Sequence, residues 1–341
     1  MADVLPRARE VVHLLERGDA SAVSARFSER IRGYIARGWS VETYRSDVWA
    51  PGLEDLAGSP RRITNEVQAS PTAARFTFEG DRGRAFVTIS FDDDGGVGGL
   101  GLDRQVFEGI GAVVIACPED RKEEVAGFYQ ELLGDDRWRV PALRFGEARD
   151  YRAPRWGDPD HPQQLHLDIQ VRDPHAADAL VLARGATSLQ DSDGYRIYAD
   201  PIGHAFCLYP AASPDTGAQG PPGVLGRIVI DCFSPRSLAP FYEALLDMPK
   251  RVADAPQRVV IAREDDSLPM LAFQHVGPFV APRWPDPAFP QQMHFDLRFD
   301  DREAARNLAE RLGAIRLPEG GSCPVYADPA GHPFCLCMHG Q

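Results

Sequence analysis

No stretch of the 341-residue chain reaches the roughly 18 consecutive apolar residues that a membrane-spanning helix needs. Residues 1–7, MADVLPR, run into charged helix rather than an apolar leader, so the expected location is the cytoplasm, with no membrane partner. Basic charge is in short supply: 37 Lys and Arg stand against 50 Asp and Glu, a net charge of -13. That balance excludes a nucleic-acid backbone as the natural partner, because binding there depends on matching phosphates with cations. Cysteine is scarce, and Cys117, Cys207, Cys232, Cys323, Cys335 and Cys337 include no CxxC pair, which removes a zinc knuckle and a thioredoxin-like site. They fall mostly in apolar strand patterns, as suits small buried hydrophobes in a reducing compartment better than a disulfide framework. Gly95-Gly96-Val97-Gly98-Gly99 is rich in glycine but lacks the lysine and following helix of a phosphate loop.

What the chain does have is a duplication. Pro154-Arg155-Trp156 and Gln164-Leu165-His166-Leu167-Asp168 return as Pro282-Arg283-Trp284 and Gln292-Met293-His294-Phe295-Asp296, a shift of 128 residues. The same shift carries Asp200-Pro201-Ile202-Gly203-His204-Ala205-Phe206-Cys207 onto Asp328-Pro329-Ala330-Gly331-His332-Pro333-Phe334-Cys335. Two copies of one unit, preceded by something different, make three domains of roughly 100 to 120 residues. The expected boundaries are 1–104, 107–210 and 224–341, with 211–223 as a linker marked by proline, glycine and a lack of periodicity.

The unrepeated part is α+β. Apolar spacing predicts helices over 4–17 and 22–36, then strands over 61–64, 73–79, 84–91 and 97–102 joined by Gly and Asp turns. Through LLERGDASAVSARFSERI, Trp49 and FVTISFDDDGGVGGLGL it resembles the cone-shaped domains of the nuclear transport factor 2-like superfamily. That resemblance implies catalytic groups at the open end of the cone. The segment's sole histidine, His13, sits on a helix, where a surface role is expected.

Each copy reads as a strand, a helix and further strands, performed twice. The segments IVIDCFSPRSLAPFYEALL, the Arg-Trp pairs, HLDI or HFDL, and DPIGHAFCL or DPAGHPFCL resemble the vicinal oxygen chelate superfamily and its glyoxalase-like, bleomycin-resistance-like branch. The resemblance implies paired βαβββ modules cupped around a site, and an intramolecular pseudo-dimer of the two repeats. It also leaves enzyme and binder both open, since the superfamily contains lyases, isomerases, dioxygenases and proteins that only bind.

Strand parity puts His166 and Asp168 on the face opposite Leu165, Leu167 and Ile169, and His294 and Asp296 likewise, so these four are the candidate catalytic groups. Arg155, Trp156, Arg283 and Trp284 on Pro-bordered loops, with Cys207, Tyr209 and Cys335, are the candidate ligand contacts. An indole face and a guanidinium fork suit an anionic or aromatic ligand at a cup rim, and the expected partner is an apolar or aromatic small molecule. The family's metal position takes one ligand from the first strand and one from the last strand of each module; here only a His and a Cys occupy those places per copy, so no metal and no cofactor are expected. His204 and His332 are expected to stabilise turns. The leading expectation is a small-molecule binding protein for resistance or sequestration. The alternatives are a metal-independent lyase, isomerase or cyclase, and a purely structural assembly protein.

Overall fold

A computed structural model of the full chain describes residues 4–35, 49–59, 61–103, 106–134, 141–148, 151–158, 160, 162–192, 194–211, 221–264, 267–286, 291–318 and 323–338. It contains two compact units. One is Met1–Glu108 with Pro240–Pro249 and Phe299–Ile315; the other is Gly109–Ala239 with Lys250–Arg298 and Arg316–Gln341.

The first unit begins with the helix Leu5–Arg17, whose Ala8, Val11, Val12, Leu14 and Leu15 are buried along one face. Gly18 ends it at φ 77°, a left-handed conformation that a side chain would resist. Shorter helices follow at Ala20–Ser24, Glu29–Ile35 and Ala50–Leu56, then β1 (Arg61–Ser70), β2 (Ala73–Gly80), β3 (Gly83–Phe91) and β4 (Val97–Asp103) as an antiparallel sheet in that order. β1 is longer than its apolar signal because it is a half-exposed edge strand whose outer residues are polar. Trp49, set edge-on to Phe78 at 6.4 Å, joins Val12, Leu53, Phe76, Val87 and Ile89 in filling the interior. The helix Arg302–Leu312 packs on β2 and β3. Arg84 pairs with Asp247 at 2.6 Å, and Arg75 donates to the Ala244 carbonyl. His13 is exposed, as expected of a surface residue.

The second unit holds the duplicated strands. Copy one supplies β5 (Phe107–Cys117), β6 (Ala142–Glu147), β7 (Leu165–Val171), β8 (Thr187–Ser192), β9 (Tyr195–Ala199) and β10 (Ala205–Pro210). Copy two supplies β11 (Gly223–Cys232), β12 (Lys250–Ala255), β13 (Arg258–Ala262), β14 (Met270–His275), β15 (Met293–Phe299), β16 (Ile315–Arg316), β17 (Val325–Ala327) and β18 (Pro333–Met338). Among the described residues they form an 8-stranded sheet ordered β12-β13-β14-β11-β7-β10-β9-β8 and a 6-stranded sheet ordered β16-β17-β18-β15-β5-β6. The modules therefore pair across the duplication: β7 of copy one lies antiparallel to β11 of copy two, and β15 lies beside β5. Each cup is built from both copies. Trp138 and most of the 211–223 linker lie outside the described residues.

The cysteines depart in part from expectation. Cys117, Cys207, Cys232 and Cys335 are free and buried, but Cys323 and Cys337 form a disulfide. They face each other across the β17–β18 ladder with Cα atoms 5.2 Å apart, within bonding range. Cys323 lies just before the three-residue strand β17, too short to announce in sequence that it would pair with β18. No helix among the described residues is long and apolar enough to cross a membrane.

Candidate functional site

The tight turns that close each copy are structural. In Asp200-Pro201-Ile202-Gly203-His204, Asp200 Oδ1 accepts from the Ile202 and His204 backbone, and Gly203 takes φ 101°. Gly331 repeats this at φ 99°. His332 Nδ1 lies 3.2 Å from Asp328 and so serves its turn as expected, whereas His204 Nε2 lies 2.8 Å from the Ala116 carbonyl and ties its turn to β5.

The candidate residues converge in the 8-stranded sheet. His166 is 2% exposed and Asp168 1%, with His166 Nε2 3.5 Å from Asp168 Oδ1. β10 sets Cys207 against Asp168, and the ligating atoms of His166, Asp168 and Cys207 lie within 4.8 Å of one another. β11 sets Val229 opposite His166 and Arg227 opposite Asp168. Arg227 approaches Asp168 Oδ2 at 3.5 Å, and Arg258 reaches over from β13 to donate to the same oxygen at 2.9 Å. The other Arg258 nitrogen donates to Gln274 Oε1 at 2.9 Å. Beside this cluster opens a cleft of about 270 Å³, lined by Trp156, Gln163, Asp231, Gln274, Val276 and Pro278 together with neighbouring loop residues.

Charge is distributed unevenly. Burial opposes the His166 imidazolium, yet Asp168, Cys207 and Asp231 together outweigh it and hold its pKa up at about 10. Burial also pushes Asp168 toward protonation, but His166, Arg258 and Arg227 prevail and its pKa is lowered. For Asp231 burial wins over His166 and Gln163, and its pKa is raised. Burial raises the Cys207 thiol, against the pull of His166.

Two proton arrangements satisfy the corner where Gln163 Nε2 stands 2.8 Å from His166 Nδ1 and 2.9 Å from Asp231 Oδ2. With a neutral ring protonated on Nε2, the Gln163 amide group donates to both. With a charged ring, Nδ1–H needs the amide oxygen instead, so the amide turns over and Asp231 Oδ2 carries a proton. The His166 and Asp231 shifts both run in the direction of the charged arrangement. In both, Asp231 Oδ1 is buried without a hydrogen-bond partner, 4.0 Å from His166 Nδ1.

The other expected contacts divide. Trp156 lines the cleft and meets the His166 ring edge-to-face at 6.2 Å. Tyr209 stacks on Tyr195 at 4.9 Å under the Arg227 guanidinium. Arg155 is 65% exposed in its side chain and pairs with Asp158 at 3.6 Å, and Arg283 is exposed as well. Trp284 packs onto Val325, Cys335 and Cys337.

In the 6-stranded sheet His294 Nε2 lies 3.5 Å from Asp296 Oδ1, and their side chains are 15% and 13% exposed. Cys335 completes the same trio, its thiol pushed up to about 12 by burial and Asp296. Arg144 approaches Asp296 at 3.6 Å. The opposite wall differs, however. The Asp231 amide bonds to the Gln164 carbonyl, and in the second cup it is the Ala116 amide that bonds to Gln292. Ala116 thus takes the place of Asp231, and its β6 neighbour Gly146 takes that of Gln274. Among the described residues, the Asp231–Gln274 pair of the first cup is thus replaced by Ala116 and Gly146 in the second.

Arg227, Asp231, Arg258, Gln163 and Gln274 escaped the sequence reading. A signal existed for two of them: in Arg227-Ile228-Val229-Ile230-Asp231 the period of two puts both charges on one face of an otherwise apolar strand. Arg258 had none, because its reach across the cup depends on tertiary placement.

The metal that the family resemblance implies is not matched by these residues. The first-strand and last-strand positions beside His166 are Val229 and Ala272, both apolar. Asp168 is already shared by two guanidiniums, which oppose a third, divalent cation at the same carboxylate. The second cup offers its three donors from one module alone, with Ala116 and Gly146 opposite. Elemental analysis of the purified protein is expected to find no stoichiometric Zn, Fe, Mn or Ni. One equivalent per chain, lost in His166→Ala or His294→Ala, would reverse this reading.

Comparison with known proteins places this geometry. The family model of the glyoxalase-like domain matches residues 112–209 and 227–337. Among solved structures, a glyoxalase I mutant from Zea mays is similar at 14% identity and TM-score 0.47, covering 67% of this chain and 91% of that one. A putative dioxygenase from Bacillus subtilis is similar at 13% identity and TM-score 0.46, covering 69% and 86%. A fosfomycin resistance protein from Mesorhizobium loti is similar at 14% identity and TM-score 0.25, covering 33% and 89%. No curated protein matches the chain.

Proposed function

Because the chain belongs to the glyoxalase-like domain family, carrying two tandem copies of that domain, we propose that it binds a small, flat, partly aromatic molecule in the cleft beside His166. The observation that carries this is the asymmetry of the two cups: beside the open cleft of one stand Asp231 and Gln274, where the other presents alanine and glycine. Mixed apolar and polar lining of this kind, with few convergent polar groups, is what a ligand site requires. Binding is favoured over acid–base catalysis by His166, since the Gln163 amide meets one ring nitrogen and Asp168 faces the other. The second cup, the N-terminal cone of the nuclear transport factor 2-like kind and the boundaries 1–104, 107–210 and 224–341 belong to the same proposal as supporting architecture, in a cytoplasmic protein.

Native mass spectrometry after exposure to a small-molecule library tests the reading. A species retained by the wild type and weakened about tenfold in Trp156→Ala, at an unchanged melting temperature, is the expected result. A library that yields no ligand, or ligands indifferent to Trp156→Ala, would remove the cleft as a binding site.

A further inference from the structure

Around Asp168 the first cup carries more positive charge than negative. Arg227 and Arg258 both approach its Oδ2, at 3.5 and 2.9 Å, so two guanidiniums share one carboxylate oxygen. The carboxylate balances one of them and leaves the charge of the other uncompensated. That count holds with His166 neutral, and a proton on the ring only adds to the excess. Asp231, the other carboxyl beside His166, accepts from Gln163 and, among the described residues, forms no ion pair with either arginine. In the second cup the charges match: among the described residues a single guanidinium, that of Arg144 at 3.6 Å, faces Asp296. The excess in the first cup is local, since the whole chain has a net charge of -13.

The donors of this pair are neither used up nor sealed in. Among the described residues the two guanidiniums make three hydrogen bonds: Arg227 Nη1 and Arg258 Nη2 donate to Asp168, and Arg258 Nη1 donates to Gln274. Arg227 Nη2 and Arg258 Nε have no acceptor in the protein, and the two side chains are 29% and 30% exposed. Tyr209, stacked on Tyr195, lies against the Arg227 guanidinium at 5.6 Å and holds it from one side. From this surplus of charge and of open donors we propose that Arg227 and Arg258 together bind the carboxylate of a small organic monoanion, through the N–H groups that Asp168 and Gln274 leave unused. The site is independent of the cleft, whose lining includes neither arginine. A carboxylate fits on two counts: its planar pair of oxygens matches a guanidinium fork, and its single charge equals the excess. A phosphate dianion would set a second negative charge against Asp168, and a neutral amide would leave the excess in place.

The test titrates the full chain with benzoate, its neutral counterpart benzamide, acetate and inorganic phosphate, by calorimetry or ligand-observed NMR at low ionic strength, where charge is least screened. Benzoate should bind at a single site, about tenfold or more tightly than benzamide or phosphate. Arg227→Lys and Arg258→Lys keep a positive charge beside Asp168 but lose the fork, and each should weaken benzoate about fivefold or more. Arg258→Gln should remove the preference for benzoate over benzamide, and Arg144→Ala in the second cup should leave it intact. Melting curves certify each variant, and the lysine pair carries the test if Arg258→Gln does not fold. Equal affinity for benzoate and benzamide, phosphate bound as tightly as benzoate, or full binding in both lysine variants would overturn the proposal. So would a failure of both benzoate and acetate to bind at millimolar concentration. Benzoate binding lost in Trp156→Ala but kept in both lysine variants would move the anion to the cleft, which the library screen tests on its own.

Discussion

Asp168→Ala is expected to destabilise the protein by about 3 to 5 kcal/mol, the loss seen when one partner of a buried ionic cluster is removed. Asp168 is the anion on which three cations converge: Arg258 at 2.9 Å, Arg227 at 3.5 Å and His166 at 3.5 Å. Deleting it leaves an imidazolium almost without solvent and two guanidiniums facing each other across the sheet. His166 would respond by losing its proton, which softens the damage but leaves the Arg pair opposed. Asp168→Asn should fall between wild type and Ala, because the amide keeps an acceptor for Arg258 while lacking the charge. By contrast Arg155→Ala, an exposed residue in a surface ion pair, should change stability by less than about 0.5 kcal/mol. Urea titrations of the three variants supply the comparison. An Asp168→Ala protein as stable as wild type would mean that the cluster contributes no net stability.

Much of this architecture was legible in sequence, and the parts that were not have a common cause. The repeat offset located the two copies, and the period of two separates His166 and Asp168 from Leu165, Leu167 and Ile169 along β7. Which modules pair is a long-range matter: β7 and β11 sit side by side through contacts that no local pattern encodes. That pairing is also what brings Arg227, Asp231 and Arg258 to His166, so missing it meant missing half of the site. Arg155 and Trp156 illustrate the limit of a motif. They are adjacent in sequence and recur together, yet one points to solvent and the other lines the cleft. The disulfide belongs to the same class, since Cys323 and Cys337 become neighbours only once β18 folds back on β17.

The divergence between the copies bears on where selection of a ligand resides. His166, Asp168 and Cys207 have counterparts in His294, Asp296 and Cys335, so the trio itself came with the duplication and does not distinguish the cups. What distinguishes them is the facing module. Arg227 and Asp231 stand at the positions that Ala112 and Ala116 occupy in the other sheet, as their alignment on the shared strand pattern shows. The buried trio without that facing wall leaves His294 Nδ1 buried and without a hydrogen bond. The same three side chains therefore face Arg227 and Asp231 in one cup and alanine in the other.

Stability should fall as pH rises from about 6.5 to 10, the interval between the ordinary histidine pKa and the value held by His166 in the fold. The sign follows from the direction of the shift. A group whose pKa is raised by folding binds its proton more tightly in the native state, so its stabilisation is complete below the unfolded value and is withdrawn as pH climbs through the folded one. With His166 fully buried, the loss across this window is on the order of 3 to 5 kcal/mol. Asp168 works in the opposite range: its pKa is lowered, so its contribution is present above the ordinary carboxylate value and vanishes in acid. Together they predict a stability maximum between roughly pH 5 and 7, with decline on both sides. His166→Gln should flatten the alkaline limb, because the glutamine cannot titrate, while lowering stability at neutral pH where the charged ring meets Asp168. Asp231, whose pKa is also raised by burial, adds to the decline as pH rises above the ordinary carboxylate value. Denaturant midpoints measured from pH 5 to 10 on wild type and His166→Gln decide the matter: parallel curves for the two proteins above pH 7 would show that His166 carries no proton released in that window.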